Sequence, residues 1–139
     1  MRGGIHHIDL NVSDLAASKR VYGQLLDALG YTRVRDDDVV EWDRHEGSGF
    51  VSIGLRQARA EDTGHAHRRY APGLHHLAWE VGGRAEVDRI YELLRDAGVR
   101  MLDAPACYPE YSVDYYAAFF EDPDGIKLEI VHAPSFSKR

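Results

Sequence analysis

Two nearly identical stretches decide the fold, "GIHHIDLNV" at Gly4–Val12 and "GLHHLAWEV" at Gly73–Val81. The second begins 69 positions after the first, counted from Gly4 to Gly73. The alternation of apolar residues after each histidine pair is typical of a strand with one buried face. A copy of this strand in each half of the chain predicts an internal repeat, which can determine the whole architecture.

The repeat continues into a helix in each half. "SDLAASKRVYGQLLDALGY" follows the first strand and "GGRAEVDRIYELLRDAGV" follows the second, and both space their apolar residues as one face of a helix requires. Ser13 or Asp14 is placed to cap the first helix, and Gly30 and Gly98 are placed to end the two helices. Each helix is followed by three strand-like segments, which are "YTRVR", "VVEWDR" and "FVSIGL" in the first half and "VRMLD", "VDYYAAFFE" and "IKLEIVH" in the second.

These patterns predict an α+β fold made of two tandem βαβββ modules. Module 1 covers residues 4–56, a polar linker covers 57–72 and module 2 covers 73–133, all within one domain that spans 1–139. A module of about 65 residues buries too little apolar surface to be stable alone. We therefore expect the two modules to share a core or a common face.

Composition narrows the classes of function. A formal net charge of −6 disfavours a nucleic-acid partner, and the basic cluster at 65–69 is too short to change this. No apolar run approaches the roughly 20 residues of a membrane span, and "MRGGIHHIDL" lacks the apolar region of a signal peptide. Cys107 is the one cysteine, so no internal disulfide can form. We expect a cytoplasmic protein without a membrane partner.

Strand alternation separates the two histidines of each pair. Successive side chains of a strand point to opposite faces, and the apolar face packs against the helix. The second histidine of each pair, His7 or His76, therefore points away from the helix layer. The same test on the last strand places Lys127 and Glu129 on that face, opposite to Leu128.

Two histidines and one carboxylate on such a face suit a divalent first-row cation. The set accepts zinc, nickel, manganese, iron or cobalt, so the sequence leaves the metal's identity open. A structural explanation also stays open, because a strand histidine is often a satisfied polar residue and an inward glutamate often belongs to a salt bridge.

Three segments carry a resemblance to a known family: "HHIDLNVSDLAASKRVYGQLLDALGY", "GLHHLAWEV" and "FFEDPDGIKLEIV". They resemble the vicinal oxygen chelate superfamily, which includes glyoxalase I, fosfomycin-resistance proteins, bleomycin-binding proteins and extradiol dioxygenases. The resemblance implies paired βαβββ modules whose sheets curl around a metal-holding cavity. It also implies a homodimer that acts on a small-molecule substrate.

The resemblance to glyoxalase I implies metal ligands at His7, position 54, His76 and Glu129. Three positions match and the fourth departs, since Gly54 stands where glyoxalase I has a glutamate. Without that carboxylate, the site lacks one of the bases that glyoxalase I is expected to use for proton transfer. The three remaining ligands leave coordination positions open for water or for vicinal substrate oxygens.

We expect a divalent-metal-dependent, glyoxalase-like lyase or isomerase acting on a small oxygenated metabolite. A non-catalytic protein of the bleomycin-binding kind is the alternative, and an extradiol-type dioxygenase is the third. Fosfomycin transfer is disfavoured, because Asp9, Ala117 and Phe119 replace hydrogen-bonding residues of those enzymes. Glu129 is expected to be a ligand and, if it detaches from the metal, a proton acceptor, and Asp9 is expected to be either a base or a residue that supports the ligands without binding the metal. The expected substrate contacts are Asn11, Tyr115, Ala117 and Phe119.

Overall fold

The computed structural model describes residues 3–136 of the chain. The domain predicted for 1–139 therefore extends outside the described residues at both ends. The chain forms two compact units, and the boundary between them falls between His65 and Ala66, inside the segment 57–72. No helix within the described residues is long and apolar enough to cross a membrane.

Each unit is a βαβββ module, so the predicted α+β class and the tandem repeat are confirmed. The first unit contains β1 (His7–Val12), α1 (Leu15–Ala28), β2 (Thr32–Asp36), β3 (Val39–Glu46) and β4 (Gly49–Gln57), followed by a short 3₁₀ turn at Ala60–Asp62. The second unit contains β5 (His76–Glu80), α2 (Arg84–Asp96), β6 (Arg100–Cys107), β7 (Tyr116–Glu121) and β8 (Lys127–His132).

The two sheets have the same topology. The strand order is β1-β4-β3-β2 in the first unit and β5-β8-β7-β6 in the second. In each sheet the first strand pairs in parallel with the last strand, and the other pairs are antiparallel. The histidine strand of each unit therefore lies directly beside the strand that ends the module.

Both helices end in the same way, as the two glycines predict. Gly30 and Gly98 have φ values of 80° and 81°, a conformation that glycine adopts without steric cost. After α1, the N–H of Tyr31 donates to the carbonyl of Leu26 and the N–H of Gly30 to that of Asp27. The equivalent bonds close α2, so each helix ends in a Schellman motif.

The core of each unit lies between its helix and one face of its sheet. Strand residues on that face alternate with residues on the open face, as the period of a strand requires. The buried strand residues that face the helix include Leu10, Val12, Val40, Trp42, Ile53 and Leu55 in the first unit. In the second unit they include Ala118, Phe120, Leu128 and Ile130, which lie beside Val87, Ile90 and Leu94 of α2.

The turn between β7 and β8 fixes the register of the second sheet. The carboxylate of Asp122, which is 4% exposed, accepts hydrogen bonds from the N–H groups of Asp124 at 2.9 Å and Ile126 at 2.8 Å. Gly125 supplies the positive φ of 82° that the turn requires. This turn sets Glu129 opposite Phe119.

Candidate active site

Glu129 is a buried carboxylate at the centre of the second sheet. It lies on the open face of β8, between Ala78 of β5 and Phe119 of β7. Its side chain is only 1% exposed, and a buried carboxylate is costly unless each oxygen has a partner. The small side chain of Ala78 leaves the neighbouring strand position open for these partners.

His76 contacts Glu129 on this face. The Nε2 atom of His76 lies 3.2 Å from Oε2 of Glu129, and the histidine side chain is 36% exposed while the glutamate is buried. A carboxylate oxygen only accepts hydrogen bonds, so the contact is attractive when Nε2 carries a proton or when a cation bridges the two atoms. Two ligands of one first-row divalent ion, each at about 2.1 Å, lie about 3.0–3.4 Å apart. The donor types and their separation therefore fit such an ion.

His75 orients the ring of His76 from the other side. The two Nδ1 atoms lie 2.7 Å apart, so one of them donates to the other. Burial first, and then the charges of His76, Arg69 and Lys127, lower the pKa of His75 and favour its neutral form. A neutral His75 accepts from His76 Nδ1–H, and such a bond leaves Nε2 of His76 available as a ligand.

Tyr115 holds the other oxygen of Glu129. Its hydroxyl donates to Oε1, so the carboxylate is fixed between Tyr115 and His76. The Tyr115 ring belongs to an aromatic cover over this end of the sheet, which consists of Tyr108, Tyr111, Tyr115 and Phe136. The cover explains how the sheet excludes water from Glu129.

The loop that carries the cover is anchored by hydrogen bonds. The N–H of Tyr108 donates to the carbonyl of Tyr115 at 2.9 Å, and the carboxylate of Asp114 accepts from the N–H of Ser135 at 3.1 Å. Hydrogen bonds from Ser135, and then Ser112, lower the pKa of Asp114. Burial raises the pKa of Tyr108, and the neighbouring Asp103 adds to this effect.

A cleft of about 350 Å³ opens beside His76 in the second unit. Apolar and aromatic side chains form most of its walls, which suits a small molecule. Its lining consists of His76, Ala78, Glu80, Tyr115, Val131, Ala133, Pro134 and Phe136. Ala117 and Phe119, two of the expected substrate contacts, are 0% and 5% exposed and pack with Val131 and Ala133 beneath the cover. Their role as substrate contacts stays a prediction.

The first unit places His7 where the second unit has His76. His7 is exposed at the start of β1, and its Nδ1 lies 3.1 Å from Nδ1 of His6, which resembles the arrangement of His75 and His76. Within residues 3–136, no three histidine, cysteine, aspartate or glutamate side chains form a group that could hold a metal ion. The structure brings His76 and Glu129 together, and His7 as a third ligand stays a prediction.

Asp9 covers Gly54 on the open face of the first sheet. The two residues are paired across β1 and β4, and a Cβ atom at position 54 would lie 2.3 Å from Oδ1 of Asp9. Nε of Arg56 donates to Oδ2 of Asp9 at 2.9 Å and fixes the carboxylate there. Asn11 is exposed further along β1, opposite Arg56. A carboxylate therefore stands at the position where Gly54 offers none.

The open faces are thus related in a way that the strand patterns did not predict. Asp9 and Gly54 form one cross-strand pair, and Ala78 and Glu129 form the equivalent pair in the second unit. Each pair joins one carboxylate with one small residue, but the carboxylate lies on the first strand in one unit and on the last strand in the other. The sequence repeat contained this signal, because aligning the two histidine strands places Asp9 of the first at the position of Ala78 in the second.

Comparison with known proteins identifies the family. The model of the Glyoxalase/Bleomycin resistance protein/Dioxygenase superfamily matches residues 4–130. The chain belongs to this superfamily, the vicinal oxygen chelate proteins, as the sequence resemblance predicted.

Individual relatives agree with this assignment. The uncharacterized protein YqjT of Bacillus subtilis (strain 168) is 37% identical over 133 residues, which cover 94% of this chain and 99% of YqjT. A "putative glyoxalase" from Bacillus halodurans is 28% identical, with a TM-score of 0.79 over 95% of this chain and 97% of that one. A glyoxalase-related enzyme from Fulvimarina pelagi is 29% identical, with a TM-score of 0.64 over 94% and 88% of the two chains.

Proposed function

We propose that the protein is a divalent-metal-dependent enzyme of the glyoxalase-like lyase or isomerase class, acting on a small oxygenated metabolite. The observation that carries the proposal is the contact between His76 Nε2 and Glu129 Oε2 at 3.2 Å. An exposed imidazole and a buried carboxylate at the spacing of two ligands support a metal site.

His76 and Glu129 would hold the ion, and His7 is the third ligand that the family resemblance implies. When bound, a divalent ion supplies Lewis acidity to substrate oxygens. The hydroxyl of Tyr115 donates a hydrogen bond to Oε1 of Glu129, and Oε2 is the oxygen that faces His76. Tyr115 is therefore a positioning residue that fixes the orientation of the carboxylate.

Asp9 is the proton acceptor in the proposal. It is exposed, and Arg56 fixes its Oδ2 atom, so Oδ1 faces Gly54 on the open face of the sheet. A positioned carboxylate of this kind contributes a typical factor of about 10² to 10⁴ as a general base.

The cleft beside His76 is where the substrate would bind. Tyr115, Phe136 and Ala78 give it apolar walls, and His76 and Glu80 give it polar groups. A volume of about 350 Å³ is at the small end of ligand pockets, which suits a metabolite rather than a polymer.

A non-catalytic small-molecule-binding protein is the second candidate. The aromatic cover favours it, since Tyr115 and Phe136 of the cover line the cleft, with their ring centroids 5.5 Å apart. Aromatic rings in the wall of an apolar cleft bind small molecules without any need for chemistry.

Metal analysis separates the two candidates. The purified protein is loaded separately with zinc, nickel, manganese, iron or cobalt, dialysed and measured for metal content together with His76→Ala. We expect about one ion per chain in the parent protein and a loss of this ion in the variant. His132→Ala is the matched control, because His132 lies on β8 but faces away from Glu129 and contacts the carbonyl of Val81. Metal-free parent protein under all five conditions would overturn the proposed function.

A further inference from the structure

A row of charged residues crosses the open face of the second sheet beside the candidate metal pair. Register places His76 opposite Lys127, Lys127 opposite Glu121, and Glu121 opposite Arg100. The row therefore crosses all four strands, in the order β5, β8, β7 and β6. It crosses β8 at Lys127, two residues before Glu129. Neighbouring strands are about 4.8 Å apart, so Glu121 lies about 10 Å from His76 along the row.

Two arginines share the carboxylate of Glu121. Nη2 of Arg69 lies 3.4 Å from Oε1, and Nη1 of Arg100 lies 3.4 Å from Oε2. Both distances exceed the 2.7–2.9 Å of a strong charge-assisted hydrogen bond. One carboxylate faces two guanidinium groups, so the three side chains together carry a net positive charge. Glu121 therefore neutralises the charge of Arg69 only in part.

A buried donor of Arg69 is also unsatisfied. Its Nε atom is buried and has no hydrogen-bond partner within the described residues. Buried polar groups are nearly always hydrogen-bonded, so a buried donor without a partner requires an explanation. A carboxylate or a phosphate is the partner that satisfies Nε of an arginine together with one of its Nη groups, through two parallel hydrogen bonds.

The chain around Arg69 is held in place by its neighbours. The N–H of His67 donates to the carbonyl of Asp124 at 2.8 Å, and Nε2 of His67 contacts the carbonyl of Leu74 at 2.8 Å. The guanidinium also lies 5.9 Å from the ring centroid of Tyr70. The segment is therefore attached to the β7–β8 turn and to the chain before β5, rather than extending freely into solvent.

A cleft of about 560 Å³ opens at this place, lined by residues 67–71 together with Glu121 and Gly125. The other charges nearby are compatible with an anion. Lys127 projects on the same face, with Nζ 4.1 Å from the ring centroid of Phe119. The nearby Asp122 carboxylate is committed to backbone N–H groups of its turn.

We infer that this cleft binds the carboxylate or phosphate group of a small metabolite, with Arg69 as the principal anchor. The assignment of that anion to the enzyme's own substrate rests on the proposed function. It makes the substrate an oxygenated acid or a phosphate ester whose anionic group binds beside Glu121, a residue that lies about 10 Å from His76 along the row.

Anion titration followed by NMR tests the inference. Metal-free, ¹⁵N-labelled protein is titrated with inorganic phosphate and separately with malonate, and Arg69→Gln is titrated in parallel. We expect saturable shifts of the Arg69 Nε–H and of amides in 67–71 and 121–127 for at least one anion. Binding in the variant should be at least about tenfold weaker, the effect of losing a charge-assisted hydrogen bond.

Arg89→Gln is the matched control, because it removes the same charge from α2 on the other side of the sheet, where Arg89 is 3.8 Å from Glu86. The inference is overturned if neither anion gives saturable shifts, if Arg89→Gln weakens binding as much as Arg69→Gln, or if the Arg69 Nε–H does not move in the parent protein. The last readout needs no variant and holds even if Arg69→Gln fails to fold. Metal content, measured on separate metal-loaded portions of the same preparations, separates this inference from the proposed function, because each can fail while the other stands.

Discussion

The carboxylate of Asp9 lies over Gly54, so close that a Cβ atom at position 54 would be 2.3 Å from Oδ1. The glycine is therefore not simply a missing ligand. Its lack of a side chain provides the space that Asp9 occupies, and Arg56 holds the carboxylate in that space at 2.9 Å. The sequence comparison with glyoxalase I predicted an absent carboxylate, whereas the structure places one on the neighbouring strand.

Gly54→Ala should destabilise the protein through Asp9. The new methyl group forces the Asp9 side chain to rotate away from Arg56, and we expect a loss of about 1 kcal/mol in the free energy of unfolding. In an Asp9→Ala background the same change should be neutral or stabilising by about 0.5–1 kcal/mol, because glycine is unfavourable within a strand. Urea denaturation of the four proteins measures the coupling. If Gly54→Ala lowers the free energy of unfolding equally in both backgrounds, the position of the Asp9 carboxylate does not depend on the space above Gly54.

Asp9→Asn should reduce turnover while leaving metal content unchanged. The amide keeps the size of the side chain but cannot accept a proton as a base, so we expect a loss of about 10²-fold or more in kcat. A panel of α-ketoaldehyde, catechol and epoxide substrates, with acidic and phosphorylated members, first identifies the reaction. Glu41→Gln is the control, because Glu41 also neighbours Gly54 but lies on β3, the strand on the other side of β4 from Asp9. The Cγ atom of Glu41 is 3.7 Å from the place where a Cβ atom at position 54 would lie. Unchanged kcat in Asp9→Asn would remove Asp9 from the mechanism.

Tyr115→Phe should destabilise the metal-free protein. The change removes the hydroxyl that donates to Oε1 of Glu129, a carboxylate that is only 1% exposed. Losing a hydrogen bond to a buried charged group costs about 1.5–3 kcal/mol. Denaturation in the presence of a chelator measures the effect. Tyr108→Phe is the matched control from the same aromatic cover, and since its hydroxyl has no hydrogen-bond partner within the described residues, a cost below about 0.5 kcal/mol is expected. Equal costs for the two variants would contradict the assigned role of Tyr115.

Asp114 should contribute to stability above acidic pH. Hydrogen bonds from Ser135 and Ser112 lower its folded pKa below the ordinary value of 3.8. The contribution is therefore present above pH 3.8 and is lost as the pH falls from there through the lowered folded pKa. Asp114→Asn should flatten this part of the stability profile, measured by denaturant midpoints between neutral and acidic pH. Asp103→Asn, an exposed change on β6, controls for net charge, and an identical profile in both variants would refute the prediction.

Strand alternation predicted the faces of His76 and Glu129 correctly, because a strand has a period of two and one face of each sheet had to be apolar. The helix ends at Gly30 and Gly98 were predictable for a similarly local reason. Alternation also selected His7, His76 and Glu129 as candidate ligands, whereas the family resemblance supplied the name of the fold and the comparison at position 54. These local signals fixed the secondary structure and which residues share a face.

The remaining features depend on contacts between distant parts of the chain. The position of Asp9 over Gly54 requires the parallel pairing of strands whose residues are far apart in sequence. The contact of Arg69 with Glu121 depends on how an irregular loop attaches to the β7–β8 turn. No periodic pattern encodes either contact, so sequence analysis left Gly54 as a gap and Arg69 as part of a short basic cluster.

A crystal structure of the protein soaked with Co²⁺, with anomalous diffraction recorded at the cobalt absorption edge, tests the proposed metal site most directly. If His76 and Glu129 bind the ion, an anomalous peak lies within about 2.0–2.2 Å of His76 Nε2 and Glu129 Oε2. The same map shows whether His7 completes the ligand set. A fully exchanged crystal with no peak at this pair, or with cobalt bound only elsewhere, would contradict the metal site and with it the proposed enzyme.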